Sequence, residues 1–510
     1  MKRTPLIASL ILTSAVIAQD KPATQGSIDK ITAKYGASDL SALVAGDAKP
    51  KILTDQIKPS LVVVQFTYNG EMGKRDFAAE GIVIRNDGLV IVPSDFTPRG
   101  VPDEQMGDFK IILPGDDETE IEAKFLGRDD RYGISFVQAS PKAEDKSRKW
   151  TPLKFVDAKL QPGDNLQSVG MLPKSAGYTM YDVLSRVSAN LRGPTPQVLV
   201  DGSLGGVGSP VLNNAGEAVG YVHNQGGDEV VHPVIGREGG AIGFVNIIPE
   251  QPLLLDDSRG AMLAITNPPH LFVPASDFLP ALENPPSPGK PIKFPFVGIS
   301  NSTGLTKDVA EVYGLKPYTA IQIGDVIPGF SADKAGIKKG DIIATLNGKP
   351  LERGDVPDET PQIFTRTVSR MKVGDTITLG VVSEPGQKPH EVKLTLDERP
   401  ALANTAKRYY AEDLGFSVRS LVFEDTYSRK LPQDTKGVIV AFIRPQGNAQ
   451  SAGLGNGDLV QQINQTAVTD VEQFKKTYQQ LRKDKPKDAV VLEVVRGGNT
   501  QIIRIEPPRE

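Results

Sequence analysis

The C-terminal half of this 510-residue chain carries one sequence pattern twice, about 117 residues apart. Each copy has a short segment ending in Ala-Gly, then a Gly-Asp step, an apolar strand and a turn with Asn. The copies span Ser331–Gly348 and Asn448–Gln465. A period of this length indicates a duplicated domain, because solenoid units are several times shorter. The pattern therefore predicts two small α+β domains, over residues 292–400 and 405–510.

Composition limits the kinds of partner and chemistry. The chain has 50 Gly and 40 Pro residues, no Cys, and a net charge of −4 without a basic stripe. The glycine and proline content favours β structure with many turns. Without cysteine there is neither a disulfide framework nor thiol chemistry. We expect no nucleic-acid partner. No metal-ligand cluster or phosphate-binding loop is found, so no metal or cofactor is expected.

The N-terminus predicts export. Two basic residues precede an apolar run, Leu6–Ala18, which is short for a bilayer span. Residues 1–18 are therefore interpreted as a signal peptide cleaved after Ala18, with an uncleaved anchor as the alternative. Residues 19–54 form a polar N-terminal segment. No later segment has transmembrane length, so the expected location is the periplasm or the extracellular space.

Residues 55–285 are predicted to form one all-β domain. Short apolar runs recur between turn signals, and the Asp87-Gly88 step between two of them is typical of a β-hairpin. Strands at this spacing favour antiparallel barrels or a sandwich. Proline-rich sequence within residues 251–292 marks a boundary near 285–292.

A glycine-dense turn, Gly202–Leu212, runs into a short strand and an Asn-Ala-Gly hairpin. It resembles the active-site turn of trypsin-like serine proteases of the HtrA/Deg type, which reads Gly-Asn-Ser-Gly-Gly-Pro. The block Ala241–Val245 resembles a strand near the end of the same protease domain. The resemblance implies a mainly β fold, a double β-barrel followed by further domains. It also implies a homo-oligomer, commonly a trimer.

The same resemblance locates the three positions of a catalytic triad. Val207 occupies the position of the nucleophilic serine. Asp95 occupies that of the histidine, and Gly133 that of the acid. A serine protease needs a hydroxyl, a base and a group that orients the base. None of the three residues supplies its part, so the resemblance implies a degenerate protease.

Two features leave residual chemistry open. The backbone N–H groups of Gly205 and Val207 would form an oxyanion-hole-like turn. Ser203 and Ser209 flank the turn, and His223 follows the next strand, so a displaced Ser–His pair is an alternative.

The repeated C-terminal pattern resembles PDZ domains, which bind an extended peptide as an added strand. Each copy should offer a loop for the terminal carboxylate and a groove helix. The predicted peptide-binding residues of the second copy are Lys436, Gly437, Val438, Ile439, Phe474 and Tyr478. Those of the first copy are Tyr318, Thr319, Ala320, Ile321 and Val368. The expected ligands are peptide C-termini or unfolded segments.

These features predict an exported, HtrA-like pseudoprotease that binds peptides or unfolded chains through PDZ domains, as a chaperone, scaffold or regulator. One alternative is an active serine endopeptidase with a displaced nucleophile. The other is a structural envelope protein whose PDZ grooves are filled by its own chain.

Overall fold

A computed structural model describes residues 54–71, 73–97, 102–115, 119–140, 148–223, 270–288, 290, 292–354, 356–432 and 434–508. Residues 57–510 form one compact unit, separate from residues 1–56. The predicted signal peptide, most of the N-terminal segment and the predicted strand Ala241–Val245 lie outside the described residues.

The first six strands close into a barrel in the order β1-β2-β3-β6-β5-β4. Their bounds are β1 (Leu61–Gly70), β2 (Gly73–Val83), β3 (Leu89–Pro93), β4 (Met106–Leu113), β5 (Thr119–Asp129) and β6 (Ile134–Ala139). The predicted Asp-Gly hairpin joins β2 to β3, with Gly88 at φ +80°.

The next six strands close into a second barrel in the order β10-β11-β12-β9-β8-β7. Their bounds are β7 (Asn165–Met171), β8 (Met180–Leu191), β9 (Gln197–Asp201), β10 (Pro210–Asn213), β11 (Ala218–Tyr221) and β12 (Leu271–Pro274). Helix α1 (Ala275–Glu283) follows β12 and buries Phe278 between the barrels.

Strand alternation explains how the barrels pack. Successive side chains of a strand point to opposite faces. In β1, Val62 and Val64 fill the first barrel together with stacked aromatic rings. Leu61 and Val63 on the opposite face join the core shared by both barrels. The β-branched run at the start of β1 is therefore buried on both faces, which favours a strand over a helix.

The first C-terminal repeat has ten short strands and three helices among the described residues. The strands are β13 (Pro295–Phe296), β14 (Ile299–Ser300), β15 (Thr303–Gly304), β16 (Ile321–Gln322), β17 (Asp325–Val326), β18 (Ile342–Leu346), β19 (Lys349–Pro350), β20 (Thr376–Val382), β21 (His390–Thr395) and β22 (Asp397–Glu398). The helices are α2 (Lys307–Val312), α3 (Ser331–Lys334) and α4 (Glu359–Ser369).

The second repeat builds one sheet in the order β23-β24-β25-β26-β28-β29, with β27 on β26. The strands are β23 (Arg408–Ala411), β24 (Phe416–Ser420), β25 (Val438–Ile443), β26 (Leu459–Ile463), β27 (Thr466–Ala467), β28 (Val490–Arg496) and β29 (Asn499–Ile505). The helices are α5 (Phe423–Ser428), α6 (Asn448–Ser451) and α7 (Val471–Asp484).

The predicted fold class is confirmed: the chain is mainly β, with two closed barrels followed by two α+β repeats. In the part of the chain described, no helix has both the length and the apolarity needed to cross a bilayer.

Candidate functional site

The glycine-dense turn is pinned against the first barrel. Gly208 has φ +100°, and a Cβ there would lie 2.7 Å from the carbonyl oxygen of Glu80 in β2. Glycine is therefore required by both the backbone conformation and the close approach. The Gly208 N–H donates to the Val222 carbonyl at 2.7 Å, and the Ser209 N–H to Gly206 at 3.0 Å. These contacts leave Val207 at the turn, half-buried.

Ser209 points away from solvent. Its side chain is fully buried, and its hydroxyl donates to Glu80 Oε2 at 3.0 Å. Burial raises the pKa of Glu80 to about 8, opposed by its bonds to the Ser209 hydroxyl and the Met171 N–H. The other carboxyl oxygen, Oε1, has no hydrogen-bond partner among the described residues. A peptide carbonyl has no route to this hydroxyl in the present conformation.

Tyr181 lies on the buried side of the turn, near Glu80 and Gly206. Burial raises the pKa of Tyr181 to about 12, and the nearby Glu80 adds to the rise. The Gly206 N–H bonds to the Tyr181 oxygen, which acts in the opposite direction. The turn is thus supported from below by a buried carboxyl, a serine hydroxyl and a phenol.

The positions predicted for the histidine and the acid belong to neighbouring segments. Asp95 lies in a short 3-10 helix after β3, and the N–H of Ser94 donates to the Gly133 carbonyl at 2.8 Å. The Tyr221 hydroxyl donates to the same carbonyl at 2.9 Å. It would lie 3.4 Å from a Cβ placed on Gly133. Tyr221 therefore fills the space beside the predicted acid position.

The predicted oxyanion-hole donor at Gly205 is engaged within the protein. Its N–H donates to the Ser168 hydroxyl at 2.8 Å, and both residues are buried. An oxyanion hole requires N–H groups aimed at the substrate oxygen. This conformation therefore directs one of the two predicted donors into the barrel instead.

Members of the predicted displaced Ser–His pair contact other residues. His223 Nε2 lies 2.7 Å from Gln197 Nε2, while the Ser209 hydroxyl is bound to Glu80. Ser203 is half-buried in the turn.

The first repeat has an open groove of about 670 Å³. Strand β14 pairs with β17 on one side, and within the described residues no strand occupies its other side. The buried Ser302 hydroxyl has no hydrogen-bond partner among the described residues. The lining residues include Ile299, Asn301, Ser302, Phe364, Thr365 and, from the first barrel, Asp130. Unpaired backbone beside a helix matches the requirement for strand addition.

The predicted carboxylate loop of the second repeat requires a correction. Val438 pairs with Ser420 on one side and Val460 on the other, so β25 is an interior strand. Ile439 is likewise paired on both sides and is buried. A strand with both edges paired cannot accept a peptide strand. Lys436 and Gly437 instead line a cavity of about 550 Å³ shared with Phe330 of the first repeat.

The corresponding stretch of the first repeat is corrected for the same reason. Ile321 pairs with Gly304 and with Ile343, and Ala320 is fully buried. Ile321 does line the open groove, but as part of its floor. Tyr318 and Thr319 belong to the turn that precedes this interior strand.

The predicted helix residues differ in their surroundings. Phe474 and Tyr478 lie on one face of α7, with ring centroids 6.0 Å apart, in the core of the second repeat. Val368 of α4 is buried in the core of the first repeat. The neighbouring Phe364 lines its open groove.

Two loops that were not predicted precede the groove strands. Val297-Gly298-Ile299 and Leu414-Gly415-Phe416 have the same hydrogen-bond pattern, because in both the glycine carbonyl accepts from a later loop. Those bonds are Ile327 N–H to Gly298 at 2.8 Å and Arg444 N–H to Gly415 at 2.7 Å. A glycine between apolar residues just before each strand was the available signal.

Comparison with known proteins identifies the repeats. Models of the PDZ domain match residues 297–382 and 413–506. The described architecture therefore defines a protein with two β-barrels and two PDZ domains. Curated relatives cover most of the chain and extend this definition. The chain is a homologue of the HtrA/Deg-type serine endoproteases.

One relative is the periplasmic pH-dependent serine endoprotease DegQ of Escherichia coli (strain K12). It is 26% identical over 77% of this chain and 73% of its own length. Another is a probable periplasmic serine endoprotease, DegP-like, of Ectopseudomonas mendocina (strain ymp). It is 25% identical over 93% of this chain and 87% of its own length. A solved structure titled "HtrA-type protease AlgW with decapeptide" superposes with a TM-score of 0.46 and 15% identity. It covers 69% of this chain and 98% of its own.

Proposed function

We propose that this protein is an exported HtrA-like pseudoprotease that binds extended peptides or unfolded segments in the groove of its first PDZ domain. One observation carries the absence of catalysis: the turn presents the aliphatic Val207, while the serine two residues later is buried on Glu80. Loss of a protease nucleophile reduces turnover by on the order of 10⁶ in a comparable enzyme.

The open groove supports the binding role. Strand addition needs a free strand edge and pockets for alternate side chains. The segment around Ile299 supplies the edge. The Ser302 hydroxyl, which has no partner in the described part of the chain, supplies a polar group, and Phe364 supplies an apolar wall. The ligand would also contact the barrel at Asp130, next to the loop that carries Gly133.

Catalysis is tested by incubating the full chain with unfolded casein and with a fluorophosphonate probe. We expect neither fragments nor labelling. Labelling that disappears in Ser203→Ala or Ser209→Ala, but persists in the exposed control Ser428→Ala, would support the active-endopeptidase alternative instead.

Binding is tested with fluorescein-labelled unfolded casein and fluorescence anisotropy. Thr365 is exposed and lines the groove, so Thr365→Trp fills the groove from the surface and should weaken binding at least about tenfold, equal to 1.4 kcal/mol. Thr367→Trp is the matched control, because Thr367 is exposed on α4 but does not line the cavity. Equal affinities of both variants and the unmodified chain would contradict the proposal.

Export is supported by the basic and apolar N-terminal pattern and by the periplasmic names of the relatives. The mature protein should then begin at Gln19. Recovery of membrane-bound chain that still begins at Met1 would favour the uncleaved anchor.

A further inference from the structure

The groove of the second PDZ domain contains a strand of the same chain. Strand β24 pairs with β25 on one edge and with β23 on the other. The β23 edge is the one beside helix α7, where a peptide ligand would add. Strand β23 runs antiparallel to β24 from the Arg408–Arg419 pair to the Ala411–Phe416 pair.

The side chains of β23 enter the groove at alternate positions. The ring of Tyr409 lies 6.2 Å from that of Phe474 and 5.9 Å from that of Tyr478, both on α7. Ala411, two residues later on the same face, is only 1% exposed. Aromatic pairs at such distances stabilise packing beyond the effect of the area they bury.

The end of β23 meets the loop that precedes β24. The N–H groups of Leu414 and Gly415 both donate to the Ala411 carbonyl oxygen, at 3.2 and 2.9 Å. Paired N–H groups in such a loop are the groups that receive a ligand's terminal carboxylate. The Ala411 carbonyl thus takes the place of a carboxylate oxygen.

A residue of the first barrel contacts β23 and stabilises its position on β24. Glu71, at the turn between β1 and β2, accepts a hydrogen bond from the Ser417 hydroxyl of β24 at 3.1 Å. The same oxygen, Oε1, lies 3.7 Å from Arg408 Nη1 of β23. Glu71 is buried in this contact. One carboxylate therefore joins both strands of the hairpin to the barrel.

We propose that β23 is a resident ligand of the second PDZ domain. While β23 is bound, it closes this groove to other peptides. The sequence of β23 indicates which peptide C-termini the groove accepts after β23 dissociates. The preferred class has a free carboxylate on a small apolar residue and an aromatic residue two positions earlier, as in Tyr-X-Ala. This goes beyond the proposed function, because it concerns a different groove and does not depend on casein binding by the first PDZ domain.

The test uses a fluorescein-labelled peptide, Ala-Lys-Arg-Tyr-Tyr-Ala, that copies residues 406–411 and ends in a free carboxylate. Anisotropy titrations compare the full chain with its Tyr409→Ala variant. We expect binding at least about tenfold tighter to the variant, because the resident strand has lost its contacts with α7. An amidated peptide should lose most of this gain.

Tyr427→Ala is the matched control, since Tyr427 is 49% exposed on α5, away from the groove. It should bind the peptide as weakly as the unmodified chain. Equal affinity of all three proteins would overturn the proposal. A photoreactive benzoylphenylalanine in place of the first tyrosine then locates the peptide. Crosslinks should fall in Phe416–Ser420 or Val471–Asp484, and crosslinks confined to Glu359–Ser369 would overturn the assignment.

A second measurement does not rely on the folding of a variant. In the unmodified chain, the amide hydrogens of β23 that are bonded to β24 should exchange as slowly as those of β24 itself. Rapid exchange in β23 alone would overturn the proposal.

A third measurement uses a reversible disulfide that fixes β23 to β24. Tyr410 and Ser417 are directly opposite in the ladder, and the chain has no cysteine of its own. Tyr410→Cys with Ser417→Cys should form a disulfide. Added to Tyr409→Ala, this lock should block peptide binding when oxidised and restore it on reduction. Binding that is unaffected by the lock would contradict a resident strand.

Discussion

The two PDZ domains share a loop and differ in the strand that leads into it. In both, an apolar-Gly-apolar loop precedes the groove strand, and its glycine carbonyl accepts one N–H from a later loop. In the first domain, the preceding strand β13 pairs with β22, away from the groove. In the second, β23 turns back onto β24 and lies beside α7.

This difference teaches that an intact PDZ fold does not by itself provide a vacant site. Among the residues that the structure describes, the first groove keeps an unpaired strand edge, and it has a cavity of about 670 Å³. The second satisfies the same edge with its own backbone, and a paired edge offers no donors or acceptors to a peptide. Both grooves also contact the first barrel, at Asp130 and at Glu71 respectively.

The largest expected effect is the loss of stability when an aromatic residue is truncated at equivalent positions of the two groove helices. Phe474 is 0% exposed and packs beneath the resident strand, whereas Phe364 is 4% exposed and borders the open groove. Phe474→Ala should destabilise its domain by about 4 kcal/mol, and Phe364→Ala by about 3 kcal/mol, because the side chain of Phe364 already borders the open groove.

Hydrogen exchange of the full chain measures both losses separately. The only tryptophan, Trp150, packs on the first barrel and does not report on the PDZ domains. Equal losses in the two domains would argue that the grooves are equally filled.

The attachment of the first PDZ domain should depend on Asp277. This buried residue of α1 bonds to Arg370, directly after α4, at 2.9 Å and also to Arg366 of α4. Asp277→Asn leaves two partly buried guanidinium groups uncompensated and should cost about 3 kcal/mol. The measurement is the exchange rate of α4 amides, with the exposed Asp308→Asn as control. Unchanged α4 protection would show that this attachment is not electrostatic.

Because of Glu80, the stability of the barrels should depend on pH in a way that the stability of the two PDZ domains does not. Its folded-state pKa of about 8 lies above its ordinary value of 4.5, so between these values the folded state binds more protons than the unfolded state. Barrel stability should therefore fall as pH rises through this window, by up to about 1.4 kcal/mol per pH unit. Glu80→Gln should remove this slope.

Urea unfolding followed by Trp150 fluorescence at pH 6, 7, 8 and 9 measures this effect on the barrels alone. The exposed Glu104→Gln is the control and should retain the slope. Parallel pH dependence in the unmodified chain and Glu80→Gln would contradict the assignment.

The smallest effect should come from the contact between the first barrel and the second PDZ domain. Glu71→Gln keeps the shape but removes the charge beside Arg408, which should weaken the hold on β23 by about 1 kcal/mol. Amides of β23 should exchange about fivefold faster. Those of β14 should not change, and neither set should respond to the exposed control Glu391→Gln. Faster exchange at β14 as well would indicate a general loss of stability.

The regular parts of the fold were predictable from local sequence. Short β-branched runs such as Leu61–Val64 indicated strands, and Asp87-Gly88 indicated the hairpin between β2 and β3. Val438 and Ile439 of the predicted carboxylate loop lie in an interior strand. Lys436–Ile439 and Leu414–Phe416 both place a glycine before an apolar strand, and only the pairing partners distinguish an interior strand from a groove strand.

The barrel site shows the same division. The type of residue at the turn, Val207, is a property of the sequence. The burial of Ser209 on Glu80 joins residues 129 positions apart, and no local pattern announces a contact of that kind. The absence of any signal near Glu80 also explains why sequence reasoning did not single it out.

The sequence by itself determined that the chain holds a β-barrel region and two copies of one small domain, because periodicity and turn residues act over a few neighbouring positions. Only the tertiary structure decided which strand edges are open and which hydroxyl reaches solvent. Those outcomes depend on segments distant in the chain competing for the same hydrogen-bonding edge, and that competition is settled only when they pack together.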